Sequence, residues 1–488
     1  MKKNNHSQKG SQLSRRNFIK KTAAASAFTI VPAHILTGLG YTSPNDMVNI
    51  AAIGVGNRGG QVIQNIATPD AEIKRDKSYV GMSGFLRQPY AGIKPERGSS
   101  WRQPQEEKKT FKHANIYAIC DVDHKYSGHI INGYPKAKRF HDFREMIDNE
   151  KEIDAVVIAT PDHTHAHIAS YVMKAGKHVY VEKPMTKTIY EARYLKELAK
   201  KTGVVTQVGN QGHNVEGTMQ TVEYVKSGVI GDVLEVHLWS NRPVWRQGYF
   251  DRPLGVNIPD NLKYDLWLGP APNKPYHPDI LHFAWRGLWD YGTGAMGDMG
   301  AHTFDAPIWA LNLGMPIKIQ ATTTPYNDEY LPQSERVTYE FAARDSMPPV
   351  KVIWSDGGIK PERPERLEAN RRLREVLYIG SKGMMMHGSH GASPELIPNN
   401  PDFSPIKSLH RPNSVYLDFV EAIKEKREAA NNFDVAAKVT EIMLLTNIAI
   451  AAQKLDITLE YNAESMKITN CDAANEYFHY KYRKGWEL

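Results

Sequence analysis

Val48-Asn49-Ile50-Ala51-Ala52-Ile53 runs directly into Gly54-Val55-Gly56-Asn57-Arg58-Gly59-Gly60, and this stretch decides the fold. An apolar segment of strand length enters a glycine-rich turn, after which Val62, Ile63 and Ile66 recur at helical spacing. A strand, a tight turn and a helix in that order make an anion-binding unit. Gly54 permits the turn, Gly56 lets backbone approach a pyrophosphate, and Gly59 lets the helix pack close to the strand, with the helix N–H groups facing the anion. Asn57 and Arg58 complete the loop. A lone G-x-G-x-x-G is common in ordinary turns; the flanking strand and helix give this one its dinucleotide-binding meaning.

More strand-helix units follow. Ile116 to Asp121 reads as the second strand, and Asp121 at its end is the expected ligand of an adenosine ribose 2′-hydroxyl, which favours NAD over NADP. NADP stays open, because Arg58 or a basic residue of the insertion at 68–112 could accept a 2′-phosphate. Asp123 reads as a helix cap. The second strand arrives late because residues 68–112, rich in charge, Gly and Pro, intervene; they read as an insertion with little regular structure. Ala155 to Thr160 is the next strand, and Pro161-Asp162-His163-Thr164-His165-Ala166-His167 opens a helix. Histidines at alternate positions share no helical face and no carboxylate spacing accompanies them, so no metal is expected.

Lys177 to Val181 delivers Glu182-Lys183-Pro184, Val204 to Gly209 closes the nucleotide-binding half, and a later glycine-rich segment contains Asp298-Met299-Gly300-Ala301-His302. With the glycine fingerprint, these motifs in this order resemble the Gfo/Idh/MocA family of NAD(P)-dependent oxidoreductases, which act mainly on sugar and cyclitol hydroxyls. The resemblance spans about residues 47–460. It places Glu182 and Lys183 near the nicotinamide, with Pro184 commonly cis, and sets Thr160, Pro161 and His163 or His165 beside the cofactor. It also brings Asp298 and His302 to face Lys183. An ammonium at hydrogen-bond distance stabilises a developing alkoxide. His302 is the candidate general base, since an imidazole titrates near working pH, and Asp298 either orients it or binds a substrate hydroxyl. Simple helix capping by Asp298 is the alternative. Relatives often carry Gln and Arg where this chain has Gly209-Asn210-Gln211-Gly212-His213, so the substrate-side role of His213 is open.

From Gly231 the pattern changes to strands: Val233 to Trp239, Ile317 to Thr323, Arg336 to Phe341, Val350 to Trp354 and Glu375 to Ile379. The fold class expected is therefore α/β: a Rossmann domain over residues 46–212 followed by an α+β domain over 213–470 with a large, mainly antiparallel sheet. Residues 471–488 read as a tail. Tyr416 to Lys426 and Val435 to Gln453 read as helices. Among the many Trp, Arg and His residues of the second domain, Arg286 and Trp289 are the candidate saccharide contacts.

Composition limits the partners. The net charge of +7 comes from residues 1–33, which hold seven Lys and Arg and no acid, leaving 54 basic and 54 acidic residues beyond them. That balance removes the case for nucleic acid. Cys120 and Cys471 are too few for a disulfide framework. Ser14-Arg15-Arg16-Asn17-Phe18 before a short apolar run reads as a twin-arginine signal, so residues 1–45 are expected to direct export of a folded protein to the periplasm without a stable membrane anchor. Export beyond the free nicotinamide pool implies a tightly bound cofactor. The leading expectation is an exported sugar or glycoside oxidoreductase, homo-oligomeric through its second sheet. A redox-assisted glycoside hydrolase or lyase is the alternative, and a non-catalytic saccharide-binding protein a third.

Overall fold

The computed structural model describes residues 47–74 and 114–488. The signal segment, the residues around Tyr41 to Asp46 and most of the 68–112 insertion lie outside the described residues.

Strand β1 (Val48–Ile53) is buried on both faces, which its continuous apolar run requires. It pairs in parallel with β2 (Ala114–Cys120) on one side and β4 (Ala155–Ile158) on the other. Adding β3 (Lys138–Phe140), β5 (His178–Val181) and β6 (Thr206–Val208) gives a six-stranded parallel sheet in the order β3-β2-β1-β4-β5-β6. The order reverses at β1, so a crevice opens between the ends of β1 and β4, where such sheets bind ligands.

Between β1 and helix α1 (Gly60–Ile66) the glycine loop takes one π-helical turn, Val55–Gly59. Gly54 has φ of 79°, and its N–H donates to Cys120 O. A Cβ on Gly59 would collide with Gly54 O and press on the Ala159 side chain, so the close strand-helix approach requires glycine here. Gly59→Ala should cost about 3 kcal/mol of stability by overpacking; an unchanged midpoint in denaturant titration would refute that packing argument.

Helix α2 (Asp162–Lys174) is buried from Asp162 through Ser170, which explains why its histidines need not share a face. Helix α3 (Ile189–Thr202) starts two residues before the apolar spacing indicates, because Thr188 and Glu191 close a capping box.

The second sheet has nine strands in the order β13-β12-β11-β7-β10-β9-β8-β14-β15. Strands β7 (Val233–Trp239), β8 (Lys318–Thr323), β9 (Glu335–Phe341), β10 (Val350–Ser355) and β11 (Val376–Gly380) lie within one or two residues of the expected spans. Only β7 and β10 pair in parallel among these neighbours. The remaining strands, β12 (Met384–His387), β13 (Glu395–Ile397), β14 (Leu459–Asn462) and β15 (Lys467–Ile468), are too short to show a period.

Helices α4 (Val415–Glu425) and α5 (Phe433–Ala452) follow. Helix α5 is apolar on all sides because its first turns pack under the parallel sheet and the rest under the second sheet. It is long and apolar enough to cross a membrane, but 78% of the apolar window is buried inside the fold. The terminal residues are no loose tail: Ala474 and Phe478 join the core of the second sheet and Trp486 joins that of the parallel sheet.

Candidate active site

A cavity of about 240 Å³ opens at the carboxyl ends of the parallel strands. Gly54, Gly56, Asn57, Arg58, Asp121, Thr160, Pro161, Glu182, Lys183, Asp298 and Arg286, all singled out from the sequence, line it. Chain segments remote in sequence meet here because β1, β2, β4 and β5 all end at this edge, while the segment after β7 folds back over it.

Lys183 and Asp298 form the centre of the wall. The Lys183 ammonium donates to Asp298 Oδ1 at 3.0 Å and to the Asp298 backbone carbonyl at 2.6 Å. The Lys183–Pro184 peptide is cis. Arg242 and Arg286 approach the same carboxylate at 3.5 and 3.9 Å. Burial alone would push the Asp298 carboxyl up; Lys183, Arg242 and Arg286 outweigh it and hold the group well below the usual carboxylate range. Asp298 is therefore an ionised partner of Lys183 rather than a helix cap, and it lies within a π-helical turn, Met296–Gly300.

Glu182 is taken by Arg58, whose Nε donates to Glu182 Oε1 at 2.9 Å and whose Nη2 donates to the Tyr416 hydroxyl at 2.8 Å. Thus Arg58 ties the glycine loop to the Glu182–Lys183 turn, and its guanidinium is already committed rather than held ready for a 2′-phosphate. Asp121 accepts from Val55 N at 2.8 Å and from Asp123 N at 3.0 Å, so it braces the glycine loop as well as facing the cavity. Burial pushes its carboxyl up despite those bonds. Gly56 faces the Tyr126 ring, which fills the space a Cβ would need; the cradle above the loop stays narrow on that side.

Four expected contacts are corrected. His163 and His165 do not line the cavity: the His163 ring meets the carbonyls of Trp267 and Tyr291, and the His165 ring bridges Thr160 O at 2.9 Å and Pro184 O at 2.8 Å. His165 thereby fastens the two cavity loops to each other. Trp289 points away, its indole N–H donating to Asn327 O at 3.1 Å. His213 sits outside the wall, paired with Asp305 at 2.9 Å and stacked on Trp309. Burial opposes its protonation, yet Asp305 prevails and raises its pKa. A group raised in the folded state stabilises fully below the free imidazole range, and that contribution is lost as pH rises through the folded value. The His213→Phe variant should accordingly lose part of the fall in Tm seen above about pH 6.5, as thermal melts across pH would show.

His302 lies just behind the wall. Asn210 donates through Nδ2 to Ala301 O, which aims its Oδ1 at His302 Nδ1, 2.7 Å away. The Nδ1–H therefore donates, and Nε2 carries the lone pair. The ring stacks on His390 at 4.0 Å. Burial first, then His390 and Lys183, push its pKa well below the ordinary imidazole value, which makes it a weak base at neutral pH. Burial and Lys183 likewise push His390 down to about 4.

Several site residues escape sequence reasoning. Arg242 and His282 belong to the Trp, Arg and His set of the second domain, from which sequence reasoning singles out only Arg286 and Trp289; Tyr126 and Trp486 it misses altogether. Tyr126 and His282 stack at 3.8 Å, with His282 also 3.3 Å from Asp123. Trp486 enters the far end of the cavity from the terminal segment, near Phe143, Ile168 and Leu266. No periodicity marks any of them.

A family profile for the C-terminal α/β domain of Gfo/Idh/MocA oxidoreductases matches residues 217–488, more than half of the chain, and a second, for the NAD-binding Rossmann fold of the same family, matches residues 90–210. The chain belongs to the Gfo/Idh/MocA oxidoreductase family. It is 28% identical to the inositol 2-dehydrogenase of Salmonella typhimurium over 26% of this chain and 38% of that enzyme. To the glycosyl hydrolase family 109 protein 1 of a Shewanella strain it is 27% identical over 45% of this chain and 44% of that protein. The chain thus spans well under two thirds of these curated relatives. In fold it is similar to the aldose-aldose oxidoreductase of Caulobacter crescentus, with a TM-score of 0.53 and 15% identity over 85% of this chain and 99% of that one.

Proposed function

We propose that this family member is an exported oxidoreductase that moves hydride between a saccharide hydroxyl and a tightly held NAD. The observation that carries the reading is the Lys183–Asp298 pair, set in the same cavity as the glycine loop. The cavity fits the cofactor. The N–H groups that follow Val55 in the glycine turn suit a pyrophosphate, Asp121, which braces that turn through Val55 N, a ribose, and the Lys183 end a nicotinamide. When bound, NAD supplies the hydride acceptor.

The protein's own part is the proton. Lys183, oriented by Asp298 Oδ1 and the Asp298 carbonyl, hydrogen-bonds the substrate oxygen and stabilises the negative charge on it as the C–H bond breaks, the hydroxyl proton leaving to solvent in the open cavity; in the reducing direction the Lys183 ammonium supplies that proton to the carbonyl oxygen. The ionised Asp298 fixes the ammonium, and the neutral His302 and His390 behind it leave Lys183 and the arginines as the charged donors facing the substrate. Asp123 and Asp142, where burial is outweighed by hydrogen bonds that lower the pKa, stand beside Asp121 at the ribose end and repel a 2′-phosphate. Purified protein should therefore release NAD on denaturation, and mass spectrometry finding NADP instead would reverse the Asp121 assignment.

Retention of the cofactor has physical support on two sides. Lys263 N donates to Val122 O at 2.9 Å and Asn261 Nδ2 to Asp123 Oδ1 at 2.8 Å, so the segment after β7 is fastened over the adenosine end. The terminal segment closes the other side through Arg483, which donates to Gly269 O at 2.9 Å, and Trp486. A retained cofactor suits the twin-arginine signal and a periplasmic destination. Association of copies through the open face of the second sheet, where Arg336, Glu340 and Lys351 are exposed, is part of the same proposal, and sedimentation of the holo-protein as a monomer would remove it.

The deciding experiment mixes purified holo-protein with polyols and sugars and follows NADH absorbance in a single turnover. Similarity to the Shewanella protein favours a second reading, in which oxidation acidifies a neighbouring C–H, elimination expels an aglycone, and hydride then returns. Free aglycone without net redox change would select it.

A further inference from the structure

Among the described residues, the cavity wall around Lys183 carries more positive charge than its carboxylates neutralise. Lys183, Arg242 and Arg286 converge on one carboxylate, Asp298, at 3.0, 3.5 and 3.9 Å. One negative charge offsets one of the three. The fourth cation of the wall, Arg58, does not enter this balance because Glu182 already pairs with it at 2.9 Å. Asp162, the next carboxyl, accepts from the Thr293 hydroxyl at 2.7 Å; burial raises its pKa while Arg286 and Lys183 oppose the rise, and even a second carboxylate leaves the three cations in surplus.

The surplus lies on the substrate side. Arg242 follows β7 and Arg286 belongs to the Ala284–Gly287 turn, so both arrive from the second domain, whereas the pyrophosphate cradle lies at the glycine loop. Arg286 is preorganised: its guanidinium lies over the Trp285 ring at 4.3 Å and donates to Phe283 O at 3.1 Å. Arg242 is held at its backbone, where N donates to Ser240 Oγ and O accepts from Gly357 N. Each arginine is about three-quarters shielded from solvent. Partly buried cations that share a single counter-charge are costly unless a ligand supplies another, and a guanidinium pair offers planar, directional donors for an oxyanion. A neutral polyol would leave that cost unpaid.

We propose that the substrate is an anionic saccharide, and that Arg242 and Arg286 bind its oxyanion, either a carboxylate as in uronic and aldonic acids or a sulfate ester. This rests on the hydride-transfer reading above and narrows its substrate class. Binding the oxyanion beside Asp298 would also set the sugar hydroxyl against Lys183, so charge recognition and reaction geometry share the same residues.

The test uses holo-protein with its own bound NAD and follows NADH formation with matched sets: a neutral hexose, its uronate, the uncharged methyl ester of that uronate, and a sulfated hexose. The expected result is that at least one anionic form reduces the cofactor with kcat/KM about a hundredfold or more above the neutral sugar and the ester, with a steep loss as salt is raised. Preference for the sulfated sugar over the uronate would keep the oxyanion and assign it to sulfate. Arg242→Gln and Arg286→Gln should each raise KM for the anion about tenfold or more and shrink the anion-to-neutral ratio, with partial recovery in Arg242→Lys. Should these variants fail to fold, the wild-type comparison of uronate with methyl ester still decides. Reduction by neutral sugars at the rate of the anions, or faster, overturns the charge proposal and leaves the oxidoreductase reading intact. No reduction by any sugar, neutral or anionic, overturns both.

Discussion

Replacing Lys183 with methionine should lower turnover by about two to four orders of magnitude while NAD stays bound. Methionine preserves the length and much of the bulk of the side chain, so the cavity keeps its shape. It removes the proton donor and the charge that would face a developing alkoxide. The partner group is affected differently: Asp298→Asn leaves the ammonium but strips the carboxylate on which three cations converge, so it should lose activity and also stability. His302→Ala should cost only about tenfold in kcat/KM, because that imidazole sits behind the wall and is held neutral. Stopped-flow single turnovers of the three variants, each with nicotinamide nucleotide quantified after denaturation, distinguish these roles. Near-normal turnover in Lys183→Met would take the lysine out of the mechanism, and a His302→Ala defect as large as that of Lys183→Met would restore the imidazole as general base.

The second large effect concerns the terminal segment. Trp486 is 8% exposed, with the Arg144 guanidinium 4.9 Å from its ring centre and Phe143 beside it. It forms an aromatic wall at the end of the cavity away from Lys183, where Asp121 marks the ribose position. An aromatic surface against a base is worth about 1–3 kcal/mol, so Trp486→Ala should accelerate cofactor loss by about tenfold to a hundredfold. Deleting residues 483–488 should do more, since it also removes the Arg483 bonds to Asp265 and Gly269. Wild-type protein should survive extended dialysis with near-stoichiometric nucleotide and turn over without added NAD. Nucleotide remaining on the protein, quantified by mass spectrometry after timed dialysis, gives the rates. If the wild-type protein dialyses to an apo form that regains activity with added NAD, the retained-cofactor proposal fails; if Trp486→Ala releases no faster than wild type, the wall lies elsewhere.

The two sheets, the glycine loop and the Lys183 motif were legible in the sequence because each is a local pattern. Apolar runs give strands, a strand before G-x-G-x-x-G gives the turn, and the order of motifs gives the family. Asp298 is legible for the same reason, as an orienting or substrate-hydroxyl group, and the structure adds its ion pair with Lys183. His302 shows the limit of that reasoning: its residue type suits a base, while burial beside His390 and Lys183 lowers its pKa well below the ordinary imidazole value, and burial cannot be read from two residues spaced four apart. The family resemblance draws His163, His165 and His213 toward the site, while tertiary contacts assign them to backbone carbonyls or to Asp305.

The sequence by itself determined the parallel nucleotide-binding sheet, the second mixed sheet and the lysine at the end of β5, since hydrophobic periodicity and glycine geometry act over a few residues. Only the tertiary structure decided which charges meet. Arg242, Arg286, Lys183 and Asp298 come from four separate segments, and Trp486 comes from the far end of the chain. Their interaction depends on distance in space and on shielding from water, and neither quantity is encoded in the local spacing of residues.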